Sequence, residues 1–175
     1  MSKSLAHTAV VAAKGKGIYS GINVTLVRSV LPTVGASEIP IRDSLDVLAG
    51  TDLTKEVEIA TASIRKSAQI AADAAKNAKA TKVTLMIKQA PTYEAINKIF
   101  KEVATEVIES SGLAIDVNTT SNLTNQLVMF PETLGVVFTN DVPTCENVEQ
   151  AFAGITGSTL TMHSDAGSVV KELGF

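Results

Sequence analysis

Apolar and polar positions along the chain fall into short strand-like runs separated by longer stretches of helical period. "INVTLVR" (Ile22 to Arg28) alternates and is rich in β-branched residues, which predicts a strand. The stretch that follows, through "LPTVGASEIPIRDSLDVLAGTDLTK", holds two prolines and two glycines without a helical repeat and reads as an extended arm over about 31–55. "EVEIATA" (Glu56 to Ala62) returns to strand patterning. "SIRKSAQIAADAAKNAK" then predicts a helix with Ser63 as its N-cap and a small-residue face of Ile64, Ala68, Ala71, Ala72 and Ala75. "KVTLMI" is apolar throughout, the mark of a strand covered on both faces. In "YEAINKIFKEVATEVIES", Ile96, Ile99, Phe100, Val103 and Val107 recur three and four apart, so a helix ends near Gly112. A strand in "LAIDV", a short helix in "SNLTNQLVMF", a buried strand in "LGVVFTN" and a helix in "PTCENVEQAFAGI" complete the chain's middle. In that last helix Pro143 sits in the first turn and Gly154 near the end.

Strands that alternate with helices, and are apolar rather than alternating, predict an α/β fold: a mostly parallel sheet flanked by helices. Ligands of such sheets sit beyond the carboxyl ends of the strands, which puts Lys88, Thr119 to Asn122 and Asn140 to Thr144 on one edge. A chain of 175 residues fits one domain, divided here into a basic segment (1–21), the α/β domain (22–157) and a C-terminal extension (158–175).

Composition narrows the function classes. With 15 basic and 18 acidic residues and few aromatics, none interleaved with Lys or Arg, no nucleic-acid surface is expected. Cys145 is the only cysteine, which excludes an internal disulfide and a cysteine metal cluster. No apolar run reaches the roughly 18–20 residues of a membrane-spanning helix, so a soluble protein without direct membrane insertion is expected. Lys3, Lys14, Lys16 and Arg28 all precede the first acid, Glu38. Such a start suits a mitochondrial transit segment, and equally a basic tail or a short strand at "HTAVVAA".

Candidate chemistry is sparse. "KGKGIYSG" and "AGITGS" contain glycines, but the first lacks the preceding strand and following apolar helix of a phosphate cradle. A turn and a helix stop are the simpler readings. His7 and His163 have no partner at ligand spacing, and Asp116, Asp141, Glu146 and Glu149 are the acids that could offer oxygen to Mg²⁺ or Mn²⁺; Glu146 and Glu149 share a helix face. Cys145, two residues into a helix led by Pro143, has no histidine placed to activate it. Lys88, at the carboxyl end of a buried strand, is either a desolvated proton-transfer lysine or a snorkelling one, and the residues alone favour the second.

The order of segments from Ile22 to Gly157 resembles the small-domain region of the isocitrate and isopropylmalate dehydrogenases, the β-decarboxylating dehydrogenases. "INVTLVRSV" is similar to the family strand ending Arg-Glu-Asn, "VTLMIKQA" to the strand ending His-Lys-Ala-Asn, and "TTSNLTNQLVMFPETLGVVFTNDVPT" to the segment from Val-Asp-Asn onward. Asn122, Gln126, Leu127, Val128, Pro131 and Val136 fit that last pattern without a gap. The resemblance puts Lys88 at the position of the family's proton-transfer lysine and Arg28 at that of its substrate-carboxylate arginine, while the three metal-ligand aspartates fall on Ser121, Cys145 and Glu149. The arginine that opens the helix after "EVEIATA" is replaced by Ile64, with Arg65 adjacent, and the arm has no counterpart of the catalytic tyrosine.

Ser121 and Cys145 cannot supply the lost negative charge that a metal bound to a 2-hydroxy acid requires. The nucleotide-binding part of the family fold has no counterpart either. The resemblance therefore implies a pseudoenzyme with no catalytic residues, no metal and no cofactor, in which Lys88 and Arg28 are relict positions. What it implies is retained is pairing with other protein subunits, as a homo- or heterodimer, through the arm and helices. The expected role is a non-catalytic structural subunit of a mitochondrial assembly. The alternatives are a regulatory or complementing subunit of a heteromeric isocitrate dehydrogenase, whose site Lys88 would serve, and a small independent α/β ligand-binding protein.

Overall fold

The run Val83 to Met86 is buried throughout because both its faces are covered. Val83 and Leu85 point into one hydrophobic cluster and Met86 into another, on opposite sides of the sheet. A computed structural model describes residues 7–30, 33–34, 39–40, 54–157, 159–164 and 171–173. Within them the chain forms β1 (His7–Lys14), β2 (Asn23–Val30), the short β3 (Thr33–Val34) and β4 (Ile39–Pro40), α1 (Thr54–Asn77), β5 (Lys82–Ile87), α2 (Glu94–Ser110), β6 (Ala114–Thr119), α3 (Thr120–Met129), β7 (Val136–Thr139), α4 (Val142–Thr156), β8 (Thr159–Ser164) and β9 (Lys171–Leu173).

Among the described residues seven strands make one sheet in the order β6-β5-β7-β2-β1-β8-β9. From β6 to β2 every pairing is parallel, as expected for strands joined by helices. Beyond β2 the sheet continues antiparallel through β1, β8 and β9. The sheet therefore crosses both boundaries drawn at residues 22 and 157: "HTAVVAA" is a strand paired with β2 along its whole length, and β8 and β9 extend the far edge. In the arm, β3 and β4 pair with one another, Thr54 and Lys55 already belong to α1, and the remaining positions lie outside the described residues, as do 1–6.

One expected element is corrected. "EVEIATA" is not a strand but the first part of α1, a helix of 24 residues. Glu56, Val57, Glu58 and Ile59 mimic strand alternation, yet Val57, Ala60, Ile64 and Ala68 are spaced three and four apart and continue the face that packs on the sheet. Ser63 is consequently no N-cap: it lies buried in mid-helix. The end of α4 falls just past Gly154, as expected, at Thr156. Gly157 takes the left-handed conformation (φ 61°) that closes the helix, its N–H bonded to the Ala153 carbonyl.

The helices α1 and α2 cover one face and α3 and α4 the other. Alanine at positions 60, 68, 71, 72 and 75 lets α1 lie close to α2 and to the strands beneath. Phe100 of α2 packs on Phe138 of β7, with ring centroids 4.9 Å apart. On the second face Leu123, Leu127, Val148 and Phe152 meet Val24, Leu26 and Val137. The glycine segment "KGKGIYSG" is the turn between β1 and β2, and not a phosphate cradle. Gly15 donates to the Ile22 carbonyl at 2.9 Å, and a Cβ there would meet the Tyr19 carbonyl oxygen at 2.2 Å, so only glycine fits.

Candidate functional site

The carboxyl ends of β2, β7, β5 and β6 gather two charged groups. In the first, Arg28 at the end of β2 reaches α4. Its Nη1 donates to Glu146 Oε1 at 2.6 Å, and its Nε lies 3.8 Å from Glu149 Oε1. Glu146 and Glu149 meet it because residues three apart share a helix face. Cys145 Sγ donates to Glu149 Oε1 at 3.3 Å. Burial holds the Cys145 thiol well above its usual pKa, and the Glu149 carboxylate beside it pushes the same way. Burial also raises the Glu149 carboxyl above its usual value, against the opposing pull of Arg28.

In the second group Lys88, just past β5, lies 4.0 Å from the carboxylate of Asp141, whose side chain is only 1% exposed. Lys88 Nζ also donates to the Tyr93 hydroxyl at 3.4 Å and sits 4.8 Å from the centre of its ring. The backbone around it is pinned. Asn97 Nδ2 donates to the Lys88 carbonyl at 2.9 Å, and Thr120 Oγ1 donates to the Ile87 carbonyl at 3.3 Å. Asp141 is fixed by its own N–H, which donates to Thr139 Oγ1 at 3.1 Å.

The edge named from sequence thus brings Lys88 to Asp141 and the first residue of α3 to the end of β5. It does not bring the three expected metal positions together. Ser121 is exposed in the first turn of α3, where Thr119 accepts from the Asn122 N–H at 3.3 Å as N-cap. Cys145 is fully buried against Val148, Phe152 and Leu26. Glu149 faces Arg28. These residues do not fit a divalent cation: one position is neutral and exposed, one is a protonated thiol in an apolar cluster, and the one carboxylate already answers a guanidinium. Among the described residues no three of His, Cys, Asp and Glu converge as a metal site would need. Asp116 is paired with Lys82 at 3.7 Å, away from both groups. His7 and His163 lie in β1 and β8. Ile64 is core, and Arg65 next to it cannot stand in for the missing arginine, because it forms a bidentate pair with Glu106 of α2 at 3.0 and 2.9 Å.

Two features escaped the sequence. Tyr93 as the partner of Lys88 had a signal, five residues downstream across a proline turn. The chain of hydroxyls joining Thr8, Ser67 and Ser29, with both links at 2.9 Å, had none, since its members are far apart in sequence.

The fold this geometry sits on is that of the β-decarboxylating dehydrogenases. The chain superposes on such a dehydrogenase from Thermococcus kodakarensis with a TM-score of 0.62 at 16% identity, covering 89% of this chain and 44% of that one. Isocitrate dehydrogenase from Methylococcus capsulatus gives a TM-score of 0.58 at 17% identity, with 90% and 47% covered. A chain solved in the peripheral stalk of the Euglena gracilis mitochondrial ATP synthase gives 0.54 at 22% identity, with 90% and 56% covered. The chain thus spans about half the length of the structures it resembles. No protein-family model and no curated protein sequence matches it. Among the described residues no helix is long and apolar enough to cross a membrane.

Proposed function

We propose that this protein is a non-catalytic, isocitrate-dehydrogenase-like structural subunit of a larger mitochondrial assembly, held to other protein subunits through its arm and helices. The observation that carries the reading is the carboxyl edge of the sheet. Arg28 is paired with Glu146 and lies near Glu149, and Lys88 lies 4.0 Å from Asp141, which supports a reading in which these groups hold the scaffold rather than a substrate. The same fold solved within a mitochondrial ATP synthase stalk supports a place in an assembly of that kind.

The test is native fractionation of a tagged chain from mitochondrial extract, with quantitative mass spectrometry of what co-migrates. A fixed stoichiometry with named subunits of a large complex is expected. A lone monomer with no stoichiometric partner would overturn the proposal. The rival role, a complementing subunit of an active dehydrogenase, rests on Lys88, which is about two-fifths exposed (41%). It predicts that Lys88→Ala lowers the turnover of such a partner. The structural reading predicts that Lys88→Ala leaves both assembly and turnover unchanged.

A further inference from the structure

The turn between β1 and β2 stands at the amino end of the parallel strands, opposite the charged carboxyl edge, and its tip is apolar. Ile18 is 92% exposed, more than any other large apolar side chain among the described residues. Turn tips usually carry polar residues, because an apolar side chain there gains nothing from the fold. This one is held out stiffly. Residues Gly17–Tyr19 form a single 3₁₀ turn in which the Tyr19 N–H donates to the Lys16 carbonyl and the Ser20 N–H to the Gly17 carbonyl, both at 3.1 Å. The Lys16 N–H donates to the Thr156 carbonyl at 3.1 Å, which fastens the turn to the last residue of α4. Tyr19 lies over Gly15, where a side chain has no room. Lys14 and Lys16 flank the tip. Both are exposed, and neither makes an ion pair among the described residues. No acid lies in the turn, in the adjoining ends of β1, β2 and β8, or in the last turn of α4.

We infer that this tip is a contact for an anionic lipid bilayer, with Ile18 entering between the headgroups and Lys14 and Lys16 on the lipid phosphates. The pairing of the two chemistries selects this occupant. Lysines alone suit any polyanion, but a nucleic-acid backbone offers nothing to a protruding isoleucine. A bilayer offers both needs within a few ångströms of depth, a negative phosphate layer over hydrocarbon. Half-buried Tyr19, one residue on, has the amphipathic ring that lodges at that boundary. Stiffness helps as well, since a turn already ordered in the free protein loses little conformational freedom on contact. Two lysines and one aliphatic side chain make a weak, reversible and salt-sensitive anchor, which orients the chain rather than holding it alone. The contact is peripheral: among the described residues no helix is long and apolar enough to cross a membrane. It leaves the carboxyl edge, at the other end of the sheet, facing away from the lipid, and it does not depend on the reading of the chain as a structural subunit.

The chain has no tryptophan, so Ile18→Trp puts a unique fluorescent reporter at the tip without touching the core. Phosphatidylglycerol vesicles are expected to shift the emission of Ile18→Trp to the blue, while phosphatidylcholine vesicles give no shift and added salt reverses it. Glu94→Trp, in the first turn of α2 at the opposite end of the sheet, should not respond. The wild-type chain should co-sediment with phosphatidylglycerol vesicles. Ile18→Asp and, separately, Lys14→Glu with Lys16→Glu should each raise the apparent dissociation constant about tenfold or more. No blue shift, or no wild-type binding, at any lipid concentration overturns the inference. So does wild-type binding that Ile18→Asp leaves unchanged, or a shift that Glu94→Trp, phosphatidylcholine or inorganic phosphate reproduces. A shift seen only with purified partner subunits, and never with vesicles, overturns it too and marks the tip as a knob for a protein pocket.

Discussion

At the scale of single residues, the buried triad of Arg28, Glu149 and Cys145 governs what the carboxyl edge can do. Its members were legible as candidates: the resemblance placed Arg28, Cys145 and Glu149 at functional positions, and the i, i+3 spacing put Glu146 and Glu149 on one face. Their pairing was not legible, because 118 residues separate Arg28 from Glu146 and only the sheet order brings them together. Burial raises the Glu149 carboxyl above its ordinary value of 4.5, so the native state holds that proton more tightly than the unfolded chain does. Its stabilising contribution is therefore present below the unfolded value and is lost as pH rises through the folded one. Glu149→Gln removes this titration while keeping an acceptor for Cys145. The unfolding free energy of the variant, taken relative to wild type, should accordingly move in the variant's favour as pH rises from 4 to 7. Chemical denaturation at a series of pH values measures this, and parallel profiles for the two proteins would refute it. The same burial makes Cys145 inert: a maleimide should label it only in denaturant, and rapid labelling of the native protein would show that the thiol is not where the structure places it.

Elements came through from the sequence wherever their period was long and strong. β5, with its nearly continuous apolar run, and α2, with five apolar positions three and four apart, are where the pattern put them. The opening of α1 reads as a strand because four residues of alternating acid and β-branched side chain are too few to tell a strand from a helix. The helical face emerges only when Val57 is joined to Ala60 and Ile64. The same ambiguity conceals the polar seam under α1. Ser67 links Thr8 and Ser29, while the Ser63 hydroxyl, a little over one turn earlier, is buried without a hydrogen-bond partner. The two serines should respond oppositely to alanine. Ser67→Ala removes the hydroxyl that bonds both Thr8 and Ser29 and should cost about 1–3 kcal/mol. Ser63→Ala removes an unpaired group and gains helix propensity, so it should be neutral or stabilising by up to about 1 kcal/mol. Thermal and urea unfolding of both variants decide the matter, and equal losses would mean that Ser63 has a partner in solution. On the outer face of the same helix pair, Arg65 lowers the pKa of Glu106 by hydrogen bonding and charge. What that exposed pair adds is present above the unfolded carboxyl value, is lost as pH falls through the folded one, and fades with salt.

For the whole molecule, what matters is whether a fold shared with dehydrogenases still carries a ligand site. Fold class was legible because alternating strands and helices admit few architectures. The antiparallel extension through β1, β8 and β9 was not, although "HTAVVAA" could be read as a strand, because no periodic helix lies between β1 and β2 or between β8 and β9 to reveal the sheet they join. At 16–22% identity the shared architecture speaks for backbone geometry alone, and the side chains must speak for binding. They place a guanidinium between two carboxylates and a thiol in the core. Magnesium with a 2-hydroxy dicarboxylic or tricarboxylic acid would have to compete with Arg28 for the carboxylates of Glu146 and Glu149, while the third position, Cys145, offers only a buried sulfur. A ligand that bound only the native state at a hundred times its dissociation constant would add about 2.7 kcal/mol to stability. In a chain of this size that corresponds to a rise in melting temperature of roughly 5–11 °C. Differential scanning fluorimetry with magnesium and such an acid, alone and together at millimolar concentration, should therefore show no rise beyond about 1 °C, well under that range. A rise of several degrees that needs both components, and that Arg28→Ala abolishes, would show that the edge still binds the ligands of the fold it resembles.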